Sequence, residues 1–242
     1  MTKPPIGQAE GKREQVEAMF DDIAPRYDLL NRVLSMGIDV WWRKRAVKFL
    51  GEALNEKPDQ LLDVATGTGD LAIEALSLDP RKVVGVDISE GMLMHGREKI
   101  VHKGLSDHIE LLHGDAAALP FENAQFDGAL VAFGVRNFED LQVGLAGIRS
   151  VLKSGAPLVV LEFSHPTVFP IKQTYEMYSK HVLPRIGRTI SKNEEAYTYL
   201  PESVAAFPDG NDFLDNMKAS GYSETVAKPL TFGVVSLYRG LA

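Results

Sequence analysis

The 242-residue chain contains no cysteine, which excludes disulfide bonds, thiolate metal ligands and cysteine nucleophiles. No apolar run reaches the roughly 18 residues that a membrane-spanning helix needs. The N-terminal segment MTKPPIGQAEGKREQ also lacks the apolar core of a signal peptide. A formal net charge of −7 argues against a surface built for nucleic acid. We therefore predict a cytoplasmic protein without a metal site and without a nucleic-acid partner.

The composition is that of an ordinary globular protein, with 45% hydrophobic and 24% charged residues. The length suits one α/β domain with an insertion. The patterns along the chain divide that domain into four segments. These are N-terminal helices (1–58), an α/β core (59–163), a proline-rich insertion (164–210), and a C-terminal helix with a β-hairpin (211–242).

Short apolar runs alternate with helical patterns through the core segment. The predicted strands cover 61–65, 82–87, 108–113, 126–133 and 157–163. The predicted helices cover 12–27, 40–54, 70–78, 90–103, 140–152 and 212–222. Strands that alternate with helices at this spacing indicate βαβ units and a parallel sheet.

The C-terminal segment breaks this alternation. Residues 223–230 and 233–240 form two predicted strands joined by a few residues, and so short a connection requires an antiparallel pair. The insertion carries five prolines and mixed helical signals, and we expect it to lie over the edge of the sheet.

The segment LLDVATGTGDLA (61–72) joins the first strand to a helix and contains the pattern G-x-G-x-x-A, starting at Gly67 and Gly69. Taken alone, the glycines fit a dinucleotide site or a tight turn. Asp63 bears on the choice, because a carboxylate before the loop disfavours a pyrophosphate and favours a cationic ligand. S-adenosylmethionine carries an ammonium and a sulfonium and no phosphate, so the acid favours it over NAD.

Further acids follow the second and third strands. Asp87 lies 18 residues after Gly69, where an acid can accept both ribose hydroxyls of an adenosine. Asp115 follows the third strand and could accept from an adenine amine, with the Ala116 backbone beside it. Capping of a helix is the alternative role for each acid. Ligands bind beyond the carboxyl ends of parallel strands, so the loop, the two acids and 133–134 should share one crevice.

Six longer segments stand out: YDLLNRVLSMGIDVWWRKRAV (27–47), AFGVRNFED (132–140), RSVLKSGAPLVVLEFS (149–164), YSKHVLPRIG (178–187), YTYLPESV (197–204) and LTFGVVSLYRG (230–240). In this order they resemble segments of the UbiE/MenG methyltransferases, which C-methylate precursors of ubiquinone and menaquinone. The resemblance spans about residues 12 to 241. It implies a Rossmann-like class I methyltransferase fold: a seven-stranded, mostly parallel sheet with an antiparallel C-terminal hairpin. It also implies S-adenosylmethionine as the cofactor.

The resemblance also implies individual site residues. Thr68, Asp87, Asp115 and Ala116 match cofactor-contacting positions of the family, and Ala132 occupies a position that is serine in some members. With Asp63, Gly67 and Gly69 from the loop, these residues form the predicted cofactor site. The chain departs from the family pattern at Ala65, Ser154 and Ala156, where glycine or proline is usual, and at Asp39, where many members have histidine.

The family reaction places a methyl group on a ring carbon of a prenylated quinol. The ring carbon becomes nucleophilic when a ring hydroxyl is deprotonated, so the enzyme must favour the phenolate. Arg136, Asn137, Tyr27 and His181 are the predicted catalytic candidates. Arg136 stays protonated and would stabilise the phenolate, although an ion pair with Glu139 or Asp140 is an equally acceptable role for it. His181 has a side chain that titrates in the range needed for a base.

The isoprenoid tail of the substrate needs an apolar channel, which the insertion would provide by covering the substrate. Its candidate lining residues, which could equally be ordinary core, are Phe163, Phe169, Ile171, Tyr175, Met177, Tyr178, Val182 and Leu183. A lipid substrate also suggests peripheral contact with the inner membrane face. The Gly37–Asp39 sequence favours demethylmenaquinol as substrate. An NAD(P)-dependent oxidoreductase and a non-catalytic scaffold in quinone biosynthesis are the alternative functions.

Overall fold

The computed structural model describes residues 11–177 and 194–242, which form a seven-stranded sheet with helices on both faces. The strands are β1 (Gln60–Val64), β2 (Lys82–Asp87), β3 (Ile109–His113), β4 (Gly128–Ala132), β5 (Pro157–Phe163), β6 (Ser223–Leu230) and β7 (Val235–Leu241). The helices are α1 (Lys12–Ile23), α2 (Tyr27–Leu34), α3 (Asp39–Gly51), α4 (Asp70–Ala75), α5 (Glu90–His102), α6 (Leu141–Val151), α7 (Ile171–Met177), α8 (Glu194–Ala206) and α9 (Asn211–Ala219).

The strand order is β3-β2-β1-β4-β5-β7-β6, and β7 is antiparallel to both of its neighbours. The predicted fold class and the antiparallel hairpin are therefore confirmed. Because β1 lies between β2 and β4, the chain reverses its direction of winding at β1, and the carboxyl ends of β1, β2 and β4 meet at a crevice. This topology places the glycine loop at the centre of the sheet edge that binds ligands.

Successive side chains of the central strands pack on opposite faces of the sheet, as the pleat requires. Leu62 and Val64 lie in the core that faces α6 and α9, whereas Leu61 lies in the core that faces α3 and α4. Both cores are fully buried, which explains why the strands are apolar at nearly every position. The rigid sheet fixes the loops at its carboxyl end.

The sequence predicts a helix over about 12–27 that Pro25 ends or kinks, and the structure confirms that it ends just before this proline. Helix α1 ends at Ile23 and a 3₁₀ turn that contains Pro25 follows it, because proline cannot continue the helical hydrogen bonding. The eight-residue α2 then begins at Tyr27, and the hydrophobic pattern had not indicated it. Leu30 of α2 packs with Val16 of α1 in a small separate core.

The described part of the insertion packs against the N-terminal helices. Tyr199 of α8 packs into the same small core as Val16 and Leu30, close to the carboxyl end of the sheet. The insertion and the N-terminal helices thus meet above the ligand-binding edge. Within 11–177 and 194–242, none of the helices combines the length and apolar character needed to cross a bilayer.

Candidate active site

A first cavity lies at the carboxyl ends of β1, β2, β3 and β4. It is lined from the sheet side by Ala65, Gly67, Asp87, Asp115, Ala116, Ala132 and Gly134, among others. Helices α1 and α2 close it from above with Arg13, Phe20 and Tyr27. Five of the eight predicted cofactor residues therefore line one cavity: Gly67, Asp87, Asp115, Ala116 and Ala132.

The loop after β1 has an unusual backbone, with positive φ at Ala65, Gly67 and Gly69. Glycine adopts this conformation without strain, whereas Ala65 does so against the preference of an L-residue. The methyl group of Ala65 also excludes a side chain at position 134, because a Cβ atom added to Gly134 would lie 2.5 Å from the Cβ atom of Ala65. The family's first glycine is replaced here by alanine, and Gly134 leaves the room that this alanine needs.

Asp63 lies beneath the loop and is not among the residues that line the cavity. One carboxylate oxygen, Oδ2, accepts a hydrogen bond of 2.6 Å from the Thr66 hydroxyl, and the backbone N–H of Ala72 also donates to the carboxylate. The other oxygen, Oδ1, is buried with no hydrogen-bond partner in the described structure. Burial, with a smaller contribution from the charge of Asp87, raises the pKa of Asp63 to about 7.

Asp87 presents its carboxylate to the cavity from the end of β2. It accepts hydrogen bonds from the backbone N–H groups of Gly67 at 2.8 Å and Ser89 at 2.9 Å. The hydroxyl of Ser89 caps α5 by accepting from Met92 N–H, so Asp87 is not the cap of that helix. Burial raises the pKa of Asp87. This geometry leaves the carboxylate available to a ligand in the cavity.

Asp115 and Ala116 line the end of the cavity next to β3. The Asp115 carboxylate accepts from Ala117 N–H at 2.9 Å and forms an ion pair of 3.2 Å with Arg13 of α1. The alternative of a helix cap does not apply, since residues 114–127 contain no helix. Arg13 therefore joins the N-terminal helices to this side of the cavity.

Thr68 and Gly69 belong to the loop but lie outside the cavity lining. The Thr68 hydroxyl donates to Asp28 Oδ1 of α2 at 2.6 Å and accepts from Lys99 Nζ at 3.0 Å. Lys99 also forms an ion pair of 2.5 Å with Asp28. Thr68 thus holds α2 against the loop. The carboxylate of Asp28 is therefore the shared partner of Thr68 and Lys99.

A second cavity of about 1050 Å³ lies beside the first and shares Phe20, Tyr27 and Phe133 with it. Its described lining is mainly apolar and includes Met19, Ile23, Leu30, Leu34, Ile38, Trp42, Phe163, Ile171, Tyr175, Leu200, Pro201 and Val204. Phe163, Ile171 and Tyr175 of the predicted tail channel are among these. Phe169 and Met177 are exposed and do not line the cavity, while Tyr178, Val182 and Leu183 fall outside the described residues.

Arg136 is the most deeply placed cation of this second cavity. Its Nη1 donates to Glu162 Oε1 at 2.9 Å and to the carbonyl of Phe133. Glu162 is fully buried, and burial raises its pKa although Arg136 opposes the shift. The expected alternative partners Glu139 and Asp140 were wrong, because Asp140 instead caps α6.

Tyr27 and Asn137 stand where the two cavities meet. Tyr27 lines both cavities, whereas Asn137 lines the first and accepts a hydrogen bond of 3.0 Å from the Tyr199 hydroxyl. Burial raises the pKa of Tyr27 and of Tyr199, so both hydroxyls are donors at neutral pH. His181, the fourth catalytic candidate, lies outside the described residues.

Tyr199, His165 and Trp42 are among the residues of the second cavity that the sequence patterns did not assign to a site. Trp42 had appeared only as a matching position of the family segment. The Nε1 of Trp42 donates to the Thr231 hydroxyl at 2.8 Å, which joins α3 to the turn before β7. His165 follows β5 by two residues, and the rule that ligands bind beyond strand ends could have found it.

The first cavity fits S-adenosylmethionine. Apolar Ile88 and Met92 lie next to Asp115 and Ala116, which suits an adenine ring. Asp87 offers a carboxylate for ribose hydroxyls, and the glycine loop presents backbone without side chains. The fold and this cavity define a class I S-adenosylmethionine-dependent methyltransferase.

Comparison with known proteins assigns the family. Residues 8–242 match the model of the ubiE/COQ5 methyltransferase family, and the chain belongs to that family. It is 48% identical over 228 residues to a demethylmenaquinone methyltransferase of Bacteroides fragilis, covering 94% of this chain and 92% of that protein. It is 42% identical over 231 residues to a Geobacter sulfurreducens protein named ubiquinone/menaquinone biosynthesis C-methyltransferase UbiE, covering 95% and 89% of the two chains.

Solved structures show the same fold. A SAM-dependent methyltransferase of Thermotoga maritima superposes with a TM-score of 0.64 at 20% identity, covering 93% of this chain and 98% of that chain. The resemblance inferred from the sequence segments is confirmed by the family match, and an NAD(P)-dependent oxidoreductase is not favoured.

Proposed function

We propose that this protein transfers a methyl group from S-adenosylmethionine to a ring carbon of a prenylated quinol, with demethylmenaquinol as its main substrate. The observation that carries the proposal is the pairing of a cofactor cavity with a large apolar cavity through Phe20, Tyr27 and Phe133. A quinol ring at this junction would lie next to the cofactor, and its isoprenoid tail would occupy the apolar volume. The names of the relatives from Bacteroides fragilis and Geobacter sulfurreducens support the same substrate class.

S-adenosylmethionine supplies, when bound, a methyl group on a positively charged sulfur. In this proposal Asp87 accepts from the ribose hydroxyls and Asp115 with Ala116 holds the adenine edge. Gly67 and Ala132 give backbone contacts in the cavity. Asp63, beneath the loop, and Thr68 and Gly69, within it, contribute by fixing the shape of the loop.

Arg136 stabilises the phenolate form of the quinol, because a fixed cation lowers the free energy of a negative charge that develops beside it. The pair with Glu162 and the bond to the Phe133 carbonyl fix the guanidinium in place. Tyr27 and the Asn137–Tyr199 pair orient the ring at the junction. Holding the two reactants in line contributes to the rate by proximity.

The substrate assignment is tested by offering demethylmenaquinol and a methoxy-benzoquinol precursor separately with labelled S-adenosylmethionine. We expect methyl transfer to demethylmenaquinol at the higher kcat/KM. Preference for the benzoquinol would move the protein to the ubiquinone branch. Cofactor binding without transfer to either quinol would support a non-catalytic scaffold instead.

We also propose that the mouth of the apolar cavity contacts the membrane surface that holds the lipid quinol. Met36 lines the cavity and is 87% exposed, and Phe169 and Phe232 are 78% and 75% exposed in segments next to other lining residues. Exposed aromatic and apolar side chains favour insertion between lipid headgroups. Replacing the three by serine should abolish cosedimentation with vesicles of phosphatidylethanolamine and phosphatidylglycerol, while leaving cofactor affinity unchanged.

A further inference from the structure

His165 and Asp209 form a pair at the wall of the apolar cavity, next to the end of β5. The His165 Nδ1 lies 3.2 Å from Asp209 Oδ2, and the same oxygen accepts the backbone N–H of His165 at 2.6 Å. His165 lines the cavity, and its side chain is 46% exposed. Because the carboxylate engages Nδ1, it favours the imidazole tautomer with its proton on Nδ1 and a free electron pair on Nε2.

The surrounding backbone holds both residues in place. Residues alternate beyond β5, so that Glu162 and Ser164 are buried while Phe163 and His165 line the cavity. Ser164 is fixed through its N–H to the carbonyl of Val234 at 3.0 Å and its hydroxyl to the carbonyl of Gly233 at 2.8 Å. Asp209 precedes Gly210, whose N–H donates to the Tyr238 hydroxyl at 2.8 Å.

The other ionisable side chains of the described lining are unsuited to accept a proton at neutral pH. Arg43, Arg136 and Lys172 are cations, and the tyrosines are protonated. Asp39 is paired with Arg43 at 2.8 Å and accepts from the Ser35 hydroxyl at 2.7 Å. His165 is therefore the group of this lining with the chemistry of a base.

His165 lines the same cavity as the phenolate-stabilising cation Arg136. The Phe163 ring lies 4.7 Å from the Phe133 ring, centroid to centroid, at the junction of the two cavities. The Arg136 guanidinium stands 5.6 Å from the Phe163 ring centroid. His165 follows Phe163 by two residues on the same side of the chain, so a quinol ring beside Phe163 has the cation and the imidazole near it.

We propose that His165, oriented by Asp209, is the general base that takes the proton from the quinol hydroxyl. This inference rests on the proposed function. The O–H bond breaks and its proton goes to Nε2 of His165. The electron pair left on oxygen is delocalised to the adjacent ring carbon, which forms the new bond to the methyl carbon, while the pair of the methyl–sulfur bond remains on sulfur.

The ring carbon then loses its hydrogen to water as a proton, and His165 returns its own proton to the ring oxygen. One proton is thus released for each methyl group transferred, and the base is restored. The partial exposure of His165 gives water access to this end of the cavity. Asp209 is a positioning residue, because it acts on the substrate only through the imidazole.

The test uses single-turnover methyl transfer to demethylmenaquinol at saturating cofactor between pH 5.5 and 9. We expect His165→Gln to lower the rate constant by about 10²- to 10⁴-fold at pH 7, which is the usual contribution of a general base. The increase of the rate constant with pH that a general base imposes on the wild type should be absent from His165→Gln. Asp209→Asn should show a smaller loss, and free imidazole should restore part of the activity of His165→Ala.

His95 provides a matched control. It pairs with Glu98 on α5, outside both cavities, and His95→Gln should keep the wild-type rate and pH profile. Thermal unfolding and calorimetric cofactor affinity should be the same for the wild type, His165→Gln and His95→Gln. With a quinol analogue whose halogenated ring is more acidic, the rate loss of His165→Gln relative to the wild type should be smaller by at least about tenfold. The reason is that a hydroxyl that is already ionised needs no base.

Failure of the base assignment and failure of the proposed function give different experimental results. If the wild type methylates demethylmenaquinol and His165→Gln does so at the same rate with the same pH profile, the general-base assignment is overturned and the proposed function stands. If the folded wild type methylates no quinol at all, the proposed function and the base assignment are both overturned.

Discussion

Asp28 of α2 accepts a 2.6 Å hydrogen bond from the hydroxyl of Thr68 in the glycine loop. Lys99 of α5 contacts both residues, so three segments far apart in the sequence meet behind the cofactor cavity. Tyr27, the neighbour of Asp28, lines both cavities. The contact therefore links the shape of the cofactor loop to the position of the helix that closes both cavities.

Asp28→Ala should weaken the binding of S-adenosylmethionine by about tenfold, since a charge-assisted hydrogen bond contributes roughly 1.5–3 kcal/mol and part of it is regained from water. Isothermal titration calorimetry measures the change. Asp215→Ala is the control, because Asp215 pairs with Lys218 on the outer face of α9. Equal cofactor affinity for the two variants would show that α2 does not hold the loop.

Asp87→Ala should weaken cofactor binding by about 10- to 100-fold without unfolding the chain, because two hydrogen bonds from ribose hydroxyls to a carboxylate are lost. Circular dichroism and calorimetry on the same sample separate the two effects. Asp59→Ala is a suitable control, since Asp59 pairs with Arg81 at the opposite end of the sheet. A folded Asp87 variant with unchanged affinity would remove the ribose assignment.

The central strands β1, β2, β4 and β5 were predictable from sequence because each is a segment of five to seven mostly apolar residues. Helix α2 was not predictable in the same way. Its eight residues, bounded by Pro25 and Gly37, are too few for a clear periodic signal. Packing of Leu30 on Val16 and Tyr199 stabilises it, and that information lies in distant parts of the chain.

The polar contacts of the site were also only partly predictable from the sequence. Sequence spacing suggested Glu139 or Asp140 as the partner of Arg136, yet the partner is Glu162, 26 residues away on the next strand of the sheet. A signal for Glu162 did exist, because an acid inside the apolar strand PLVVLEF must be paired when it is buried.

Glu162→Ala should lower the free energy of unfolding by about 3–5 kcal/mol, because it leaves Arg136 buried without its counter-charge. The double replacement Arg136→Met with Glu162→Met should recover most of that stability and still lack methyl transfer. Urea denaturation followed by tryptophan fluorescence measures the free energy of unfolding, and the transfer assay measures the methyltransferase activity. An active double variant would contradict the role of Arg136 in stabilising the phenolate.

Asp63 should make stability depend on pH. Its pKa is about 7 in the folded protein, above the ordinary value of 3.8, so the folded state binds a proton that the unfolded state has released. The contribution of Asp63 to the free energy of unfolding is therefore greatest at about pH 4 and below, falls as the pH rises towards 7, and stays low at higher pH. Asp63→Asn should be more stable than the wild type by about 1–3 kcal/mol at pH 8 and about equal to it at pH 5.

The difference between Asp63→Asn and the wild type isolates this carboxyl, because Asp87 and Glu162 also have raised pKa values and contribute to the pH dependence of both proteins. Urea denaturation at pH 5, 6, 7 and 8 gives the four differences. A difference that does not change with pH would mean that Asp63 stays ionised in its buried position. In that case its unpartnered oxygen Oδ1 must be satisfied by a buried water molecule.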